Sequence, residues 1–363
     1  MKKVKAEKLT TLQTVGVLTC AILASGLLSL PRTAVEESRT ADAWISVLIG
    51  GAIAFVAGWI MAKMSQKYPN MTFYQYVQKI TGKAVGKVIG LLIVVYFIAL
   101  AGYETRSVEE ITSFFLLEGT PAWAISAPFI WVSLYLCMGG IMAIGRMCQI
   151  ILPISAFIFV LICLLSLNVF ELNHLRPVLA EGVMPVFKAL KSTTPTFTGS
   201  ECLLIITCFM EKPEKATKVV AWGTGIATLF YVTTVFLCIG VFTVEGVVTR
   251  TWPFIDLARC FEVDFLVLER FESLLLSIWI MQIFATFSIA LYIASVGISQ
   301  ILNVSYSKTL FILIPLIYVL SQIPTNLNEV FSFGGMVGNG AIVLFGILPL
   351  PLLLISRWRG GNQ

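Results

Sequence analysis

Charge is scarce in this chain: only 12% of its 363 residues are Asp, Glu, Lys or Arg, about half the share found in soluble domains. An ordinary soluble domain is therefore excluded. Histidine is represented by His174 alone, which leaves no material for a His-based catalytic triad or metal cluster. The eight cysteines show no CxxC and no metal-like spacing. Seven of them (Cys20, Cys137, Cys148, Cys163, Cys202, Cys208 and Cys238) fall in apolar runs and only Cys260 in a loop, so disulfides and zinc are not expected. The glycine-rich stretch from Phe333 to Gly340 has no strand before it and no lysine after it, which rules out a nucleotide-binding loop. Without paired carboxylates or a nucleophile–base set, an enzyme is not expected, nor are a cofactor or a nucleic-acid partner.

What the chain has in abundance is apolar length. Hydrophobic residues make up 58% and the mean hydropathy is +0.90. A bilayer-crossing helix needs about 20 apolar residues, and ten candidates satisfy that need, at about 11–30, 41–62, 86–104, 122–142, 147–168, 183–210, 216–242, 268–296, 309–323 and 329–355. The fold class is all-α integral membrane, a single permease-like domain over 1–363. The apolar run after the basic start ends at Pro31-Arg32 with no small-residue cleavage pattern, so the first span is expected to be retained. Under ten spans, one side of the membrane carries 16 of the 25 basic residues, among them Lys2, Lys3, Lys5, Lys63, Lys67, Lys83, Lys212 and Arg359, with only Glu7, Glu211 and Glu214 as acids. Basic loops stay in the cytoplasm, so both termini are placed there.

The organising stretch runs from Lys188 to Glu211, a span interrupted in its middle by Thr193, Thr194, Pro195, Thr196, Thr198 and Gly199. Proline lacks an N–H, threonine is β-branched and glycine is permissive, so the helix breaks there. Glu201 then stands about two residues into the second half-helix. It reads either as a ligand-site carboxylate beside a helix start or as a first-turn cap. Ala24-Ser25-Gly26 permits a matching break in span one. Interruptions at corresponding places in two sets of five spans point to a site at a repeat interface.

Several local readings complete the pass. Residues 71–81, with Phe73, Tyr74, Tyr76, Val77 and Ile80 beside Gln75, Gln78 and Lys79, predict an interfacial helix. Span three continues as helix to about Leu117, with Glu104 and Arg106 in local ion pairs at the outer boundary and Glu109 and Glu110 exposed. Arg146 is assigned to a short inner turn, and 243–267 to a long outer loop with one short helix. Span eight opens with Glu269, Arg270 and Glu272. Gln282 and Thr286, four residues apart on one face, either line a cavity or bond to a neighbouring helix.

The segments LASGLLSLPR, YETRSVEEITSFFLLEGTP, LRPVLAEG, FTGSE, WPFIDLARCFE and LERFESLLLSIWIMQIFATF occur in this order. Together they resemble the spore germination permease family, the B subunits of nutrient-germinant receptors within the amino acid–polyamine–organocation superfamily. The resemblance implies ten transmembrane helices in a five-plus-five inverted repeat of the LeuT type, with helices 1 and 6 broken. It implies a germinant-sensing subunit in the spore inner membrane that binds a small nutrient, an amino acid, and signals to A and C subunits. It also implies ligand contacts from Ala24, Ser25, Gly26, Tyr96, Leu100, Thr198, Gly199, Glu201, Gln282 and Thr286. The alternative is a proton- or cation-coupled amino-acid transporter, with Glu201 as the coupling carboxylate.

The charge asymmetry yields a topology prediction. In a Cys260→Ser background, a cysteine introduced at Lys3 or Arg359 is expected to resist a membrane-impermeant thiol reagent applied from the outer face. Labelling from that face would reverse the assignment.

Overall fold

The computed structural model describes residues 8–260 and 271–360, with side chains at 8–260 and 273–355. Lys2, Lys3, Lys5, Glu7, Glu269 and Arg270 lie outside the described residues, as do the side chains of Glu272, Arg357 and Arg359. The described chain is helical: α1 Thr11–Ile22, α2 Gly26–Ser38, α3 Ala43–Gln66, α4 Phe73–Thr81, α5 Lys83–Phe115, α6 Ala122–Met138, α7 Gly140–Ser166, α8 Met184–Thr193, α9 Leu203–Ile206, α10 Ala216–Val248, α11 Pro253–Arg259, α12 Phe271–Leu302, α13 Tyr306–Ser321, α14 Leu327–Ala341 and α15 Pro349–Gly360. Among the described residues six helical spans are long and apolar enough to cross a bilayer, and seven if α1 and α2, bent by 51° at their break, form one span. A π-helical segment, Ile342–Ile347, joins α14 to α15 within one of these spans. Shorter apolar helices occupy Ala122–Met138, Ser200–Phe209 and Tyr306–Ser321. This is a multi-pass membrane protein.

The lipid side is visible as a stripe: Ile150, Phe157 and Leu164, each seven residues apart on α7, stay exposed. Their apolar surface suits hydrocarbon, which imposes no cost on an uncovered leucine. The centre belongs to α12, which packs against α5, α7 and α1 and buries Trp279, Ile283, Phe287 and Leu291.

Two interruptions meet at that centre. Helix α1, begun by a Thr10/Gln13 capping box, ends at Leu23 (φ −75°, ψ 62°), and the Ala24 N–H turns back to the Ile22 carbonyl at 2.8 Å. Helix α8 runs to Thr193, where Pro195 cannot donate to the ladder. After Gly199 (φ +107°) the chain resumes as the short turns of Ser200–Phe209. Each half is about 15 Å long at 1.5 Å per residue, roughly half the hydrocarbon thickness. A Cβ on Gly199 would stand 2.0 Å from the Ala21 carbonyl oxygen, so only glycine lets the two breaks touch. The far ends of the two interrupted segments are tied as well: Leu9 N–H donates to Phe209 O and Glu211 N–H to Leu9 O, both at 2.8 Å.

Five local expectations are corrected. The inner turn sits at Gly139-Gly140, where Gly140 supplies φ +73°, and Arg146 lies within α7. The apolar face of α4 packs on protein instead of lipid: Phe73, Tyr74, Tyr76, Val77 and Ile80 are buried, and the Tyr74 hydroxyl donates to Ile293 O at 3.2 Å. An aromatic face with hydroxyls finds partners there that lipid lacks. Glu109 is buried, accepting from Gln322 Nε2 at 2.9 Å and pairing with Arg106 at 3.2 Å, and Arg106 also pairs with Glu110 at 2.6 Å. Arg106 therefore does not pair with Glu104. The outer loop begins later than expected, because α10 continues through a kink at Thr243 to Val248.

The contact at Gly199 predicts a ranking of substitutions. Gly82 also has positive φ (+96°) but open space around its missing Cβ, so Gly82→Ala carries backbone strain alone, about 1–3 kcal/mol. Gly199→Ala adds a backbone collision and is expected to lower the melting temperature of the purified protein well beyond Gly82→Ala. Equal effects would show that the two breaks are free to separate.

Candidate functional site

A helix that ends inside a bilayer leaves carbonyls that water cannot reach. At the end of α1 these are met by side chains from two other helices. Cys20 O accepts from Thr286 Oγ1 at 2.8 Å and Gln282 Nε2 at 3.2 Å, Ala24 O from Trp279 Nε1 at 3.1 Å, and Ile22 O from Tyr231 Oη at 2.6 Å. Tyr231 Oη also lies 3.2 Å from Thr196 O in the second break. Ser155 Oγ donates to Gln282 Oε1 at 3.4 Å, which orients the amide. All these donors are uncharged.

A cavity of about 270 Å³ opens beside the break, close to the ~300 Å³ lower end of small-molecule sites. One wall is a face of α2, where Ser25, Gly26, Ser29, Thr33 and Glu37 recur at helical spacing. Ser192, Pro195, Thr196 and Thr198 adjoin that face, Ser192 Oγ donating to Thr33 O at 3.3 Å, while α5 contributes Leu100, Tyr103 and Glu104, and α14 contributes Val337 and Asn339. The mouth carries Glu37 and Lys191, 3.9 Å apart.

Of the residues expected at the site, Ala24, Ser25, Gly26, Leu100, Thr198 and Thr286 line this cavity. Tyr96, Gly199, Glu201 and Gln282 do not. Glu201 is 1% exposed and faces a separate pocket of about 80 Å³. Its Oε1 accepts from the Tyr96 hydroxyl and its Oε2 from the Gly199 N–H at 2.9 Å, the bond that a first-turn cap makes. Gln282 is buried against α1, bonding rather than lining.

Glu104 was missed. It is 1% exposed, lines the cavity, and accepts from Ser25 Oγ at 3.2 Å through Oε1. Its Oε2 has no hydrogen-bond partner among the described residues. Tyr96, Leu100 and Glu104 stand at i, i+4 and i+8 of α5, so one helical stripe contains all three.

A bent helix pair meeting a second interrupted segment beside a cavity is the architecture of LeuT-type membrane transporters. Two solved structures share the fold: MhsT in complex with L-phenylalanine (TM-score 0.69, 11% identity, covering 94% of this chain and 97% of that one) and Mhp1, a nucleobase-cation-symport-1 family transporter closed around bromovinylhydantoin (0.67, 13%, 98% and 80%). The particular family is given by sequence. The spore germination protein family model matches residues 8–330. Spore germination protein YndE of Bacillus subtilis (strain 168) is 49% identical over 97% of both chains, and spore germination protein A2 of the same organism is 32% identical over 96% of this chain and 95% of its own. The chain belongs to the spore germination protein family.

The shared acceptor at Cys20 makes a testable pair. Gln282→Leu or Thr286→Val alone leaves Cys20 O one donor, whereas the double variant leaves a buried carbonyl unsatisfied at about 1–3 kcal/mol. The drop in thermal stability of the double variant is expected to exceed the sum of the single drops. Simple additivity would mean that the two bonds do not share a load.

Proposed function

We propose that this chain is the ligand-sensing subunit of a spore nutrient receptor. A small nutrient, an amino acid in the first instance, binds in the cavity beside the α1–α2 break and shifts a conformational equilibrium felt by A and C partner subunits in the spore inner membrane. The topology that goes with this reading is a single domain of ten spans in a five-plus-five inverted repeat. Its first broken span is α1 with α2, its sixth is α8 with Ser200–Phe209, and both termini are cytoplasmic. The observation that carries it is the cavity of about 270 Å³ where two interrupted helices meet, with the hydroxyls of Ser25, Ser29 and Thr198 and the carboxyl of Glu104 in its lining, in a chain of the spore germination protein family.

A cation-coupled transporter is the second reading, and fold likeness supports it. Fold alone does not assign function. In transporters of this build the carbonyls of interrupted helices coordinate the coupling cation, and here the α1 carbonyls of Cys20, Ile22 and Ala24 are occupied by neutral donors. That favours the receptor.

The test fills the cavity. Ser29→Phe places a ring from the second turn of α2 where the ligand sits. Spores carrying the variant at normal protein level are expected to lose their germination response to nutrients that act through this chain, or to need at least tenfold more. An unchanged dose–response curve would reject the cavity as the sensing site.

A further inference from the structure

Ligand chemistry follows from counting which polar ends at the site are already engaged. A dipolar ligand offers an anion and a cation. Its carboxylate would seek the N–H groups at the half-helix starts, and its ammonium would seek carbonyls or a free carboxyl oxygen.

A carboxylate of the chain itself stands at or beside each helix start. Ser25, the N-cap residue of the 13-residue α2, makes no side-chain cap. It gives its hydroxyl to Glu104 instead, which sets an acidic group beside that helix start. At the second break the Gly199 N–H donates to Glu201 Oε2. An incoming carboxylate at either place meets a resident one. Among the acceptors around the break, several are engaged and one buried carboxylate oxygen is not. The carbonyls of Cys20, Ile22 and Ala24 receive side-chain donors, and both Glu201 oxygens are bonded. Glu104 Oε2 is buried in the cavity wall with no donor, and no lysine or arginine pairs with Glu104 among the described residues.

We propose that the ligand of this cavity is recognised through a primary ammonium group held by Glu104, and that a ligand carboxylate is dispensable. The inference rests on the cavity being the sensing site. Hydroxyls of Ser29 and Thr198 and the apolar side of Leu100 then receive the remainder of a small amine.

The full-length protein, purified in lipid nanodiscs, is titrated with a panel of probes while its thermal unfolding is followed. The panel contains methylammonium, propylammonium, L-alaninamide, L-alanine, N-acetyl-L-alanine, propionate and propionamide, with sodium and potassium chloride as separate arms and tetramethylammonium chloride balancing ionic strength. At least one primary amine without a carboxylate is expected to stabilise the protein saturably, and N-acetyl-L-alanine, propionate and propionamide are expected not to. Glu104→Gln, whose unliganded melting temperature reports that it folds, should raise the half-saturating amine concentration by about ten- to a hundredfold, the effect of losing one charged hydrogen bond. Ser29→Phe should abolish the stabilisation.

Stabilisation by the carboxylates, the neutral amide or the alkali cations without the amines overturns the ammonium assignment and leaves the cavity as a sensing site. No stabilisation by any probe overturns both. If Glu104→Gln does not fold, the wild-type panel decides alone, because the ranking of amine over N-acetyl and carboxylate probes does not depend on the variant.

Discussion

Everything at the centre of this protein depends on one constraint: a helix that stops inside hydrocarbon must have its terminal N–H and C=O groups satisfied by protein. The chain stops two helices there. It supplies neutral donors to the carbonyl end of α1 from Trp279, Gln282 and Thr286 on α12 and Tyr231 on α10, and acidic partners near the two starts through Glu104 and Glu201. These side chains explain why α12 is the most enclosed of the six long apolar spans among the described residues. Three of its residues, spread over two turns, must reach one helix end, and that fixes the rotation of α12 against α1.

The same accounting separates stabilising from sensing. Glu201 has both oxygens engaged, one with the Tyr96 hydroxyl and one with its own turn, so it ties α5 to the second break. Glu104 has one oxygen engaged and one unpartnered. A buried acceptor left open costs stability, and such strain persists where a ligand or a second conformation relieves it. The two acids have similar burial and opposite hydrogen-bond status. Depth alone therefore does not distinguish them.

Much of this was legible in the sequence, and the limits have identifiable causes. Pro195 and Gly199 mark the second interruption because each acts through the backbone of its own residue, as do the small residues Ala24 to Gly26 at the first. Helix–helix relations were less legible. Gln282 and Thr286 could be placed on one face, but whether that face met a cavity or a helix depends on where α1 ends. Glu104 was assigned to the membrane boundary because the apolar run of span three ends there. Helix α5 continues for 33 residues, about 50 Å, far more than the bilayer needs, so the end of an apolar run does not mark the end of burial. Glu109 was misplaced for the same reason. The stripe from Tyr96 through Leu100 to Glu104 was the available signal, and it required reading periodicity past the point where hydropathy falls.

Under the receptor reading, the energetics limit how the cavity can signal. Moving a two-state equilibrium from 1:99 to 99:1 requires a ligand to prefer one state by about 5.5 kcal/mol. A single charge-assisted contact is worth about 1.5–3 kcal/mol, so one carboxylate cannot switch the protein by itself. The remainder must come from surface that becomes covered in only one state, at about 25 cal/mol per Å² of apolar area. The geometry offers a source. The α2 side of the cavity, with Ser25, Ser29 and Thr33, is packed on the second break through Ser192 and Thr196, and α2 is joined to α1 only through the non-helical turn around Leu23 and Ala24. Rotation about that turn would carry α2, with the second break packed on it, onto a ligand held against α5. A closure of that kind converts a local contact into movement of a whole half-helix, which is the form in which a partner subunit could feel it.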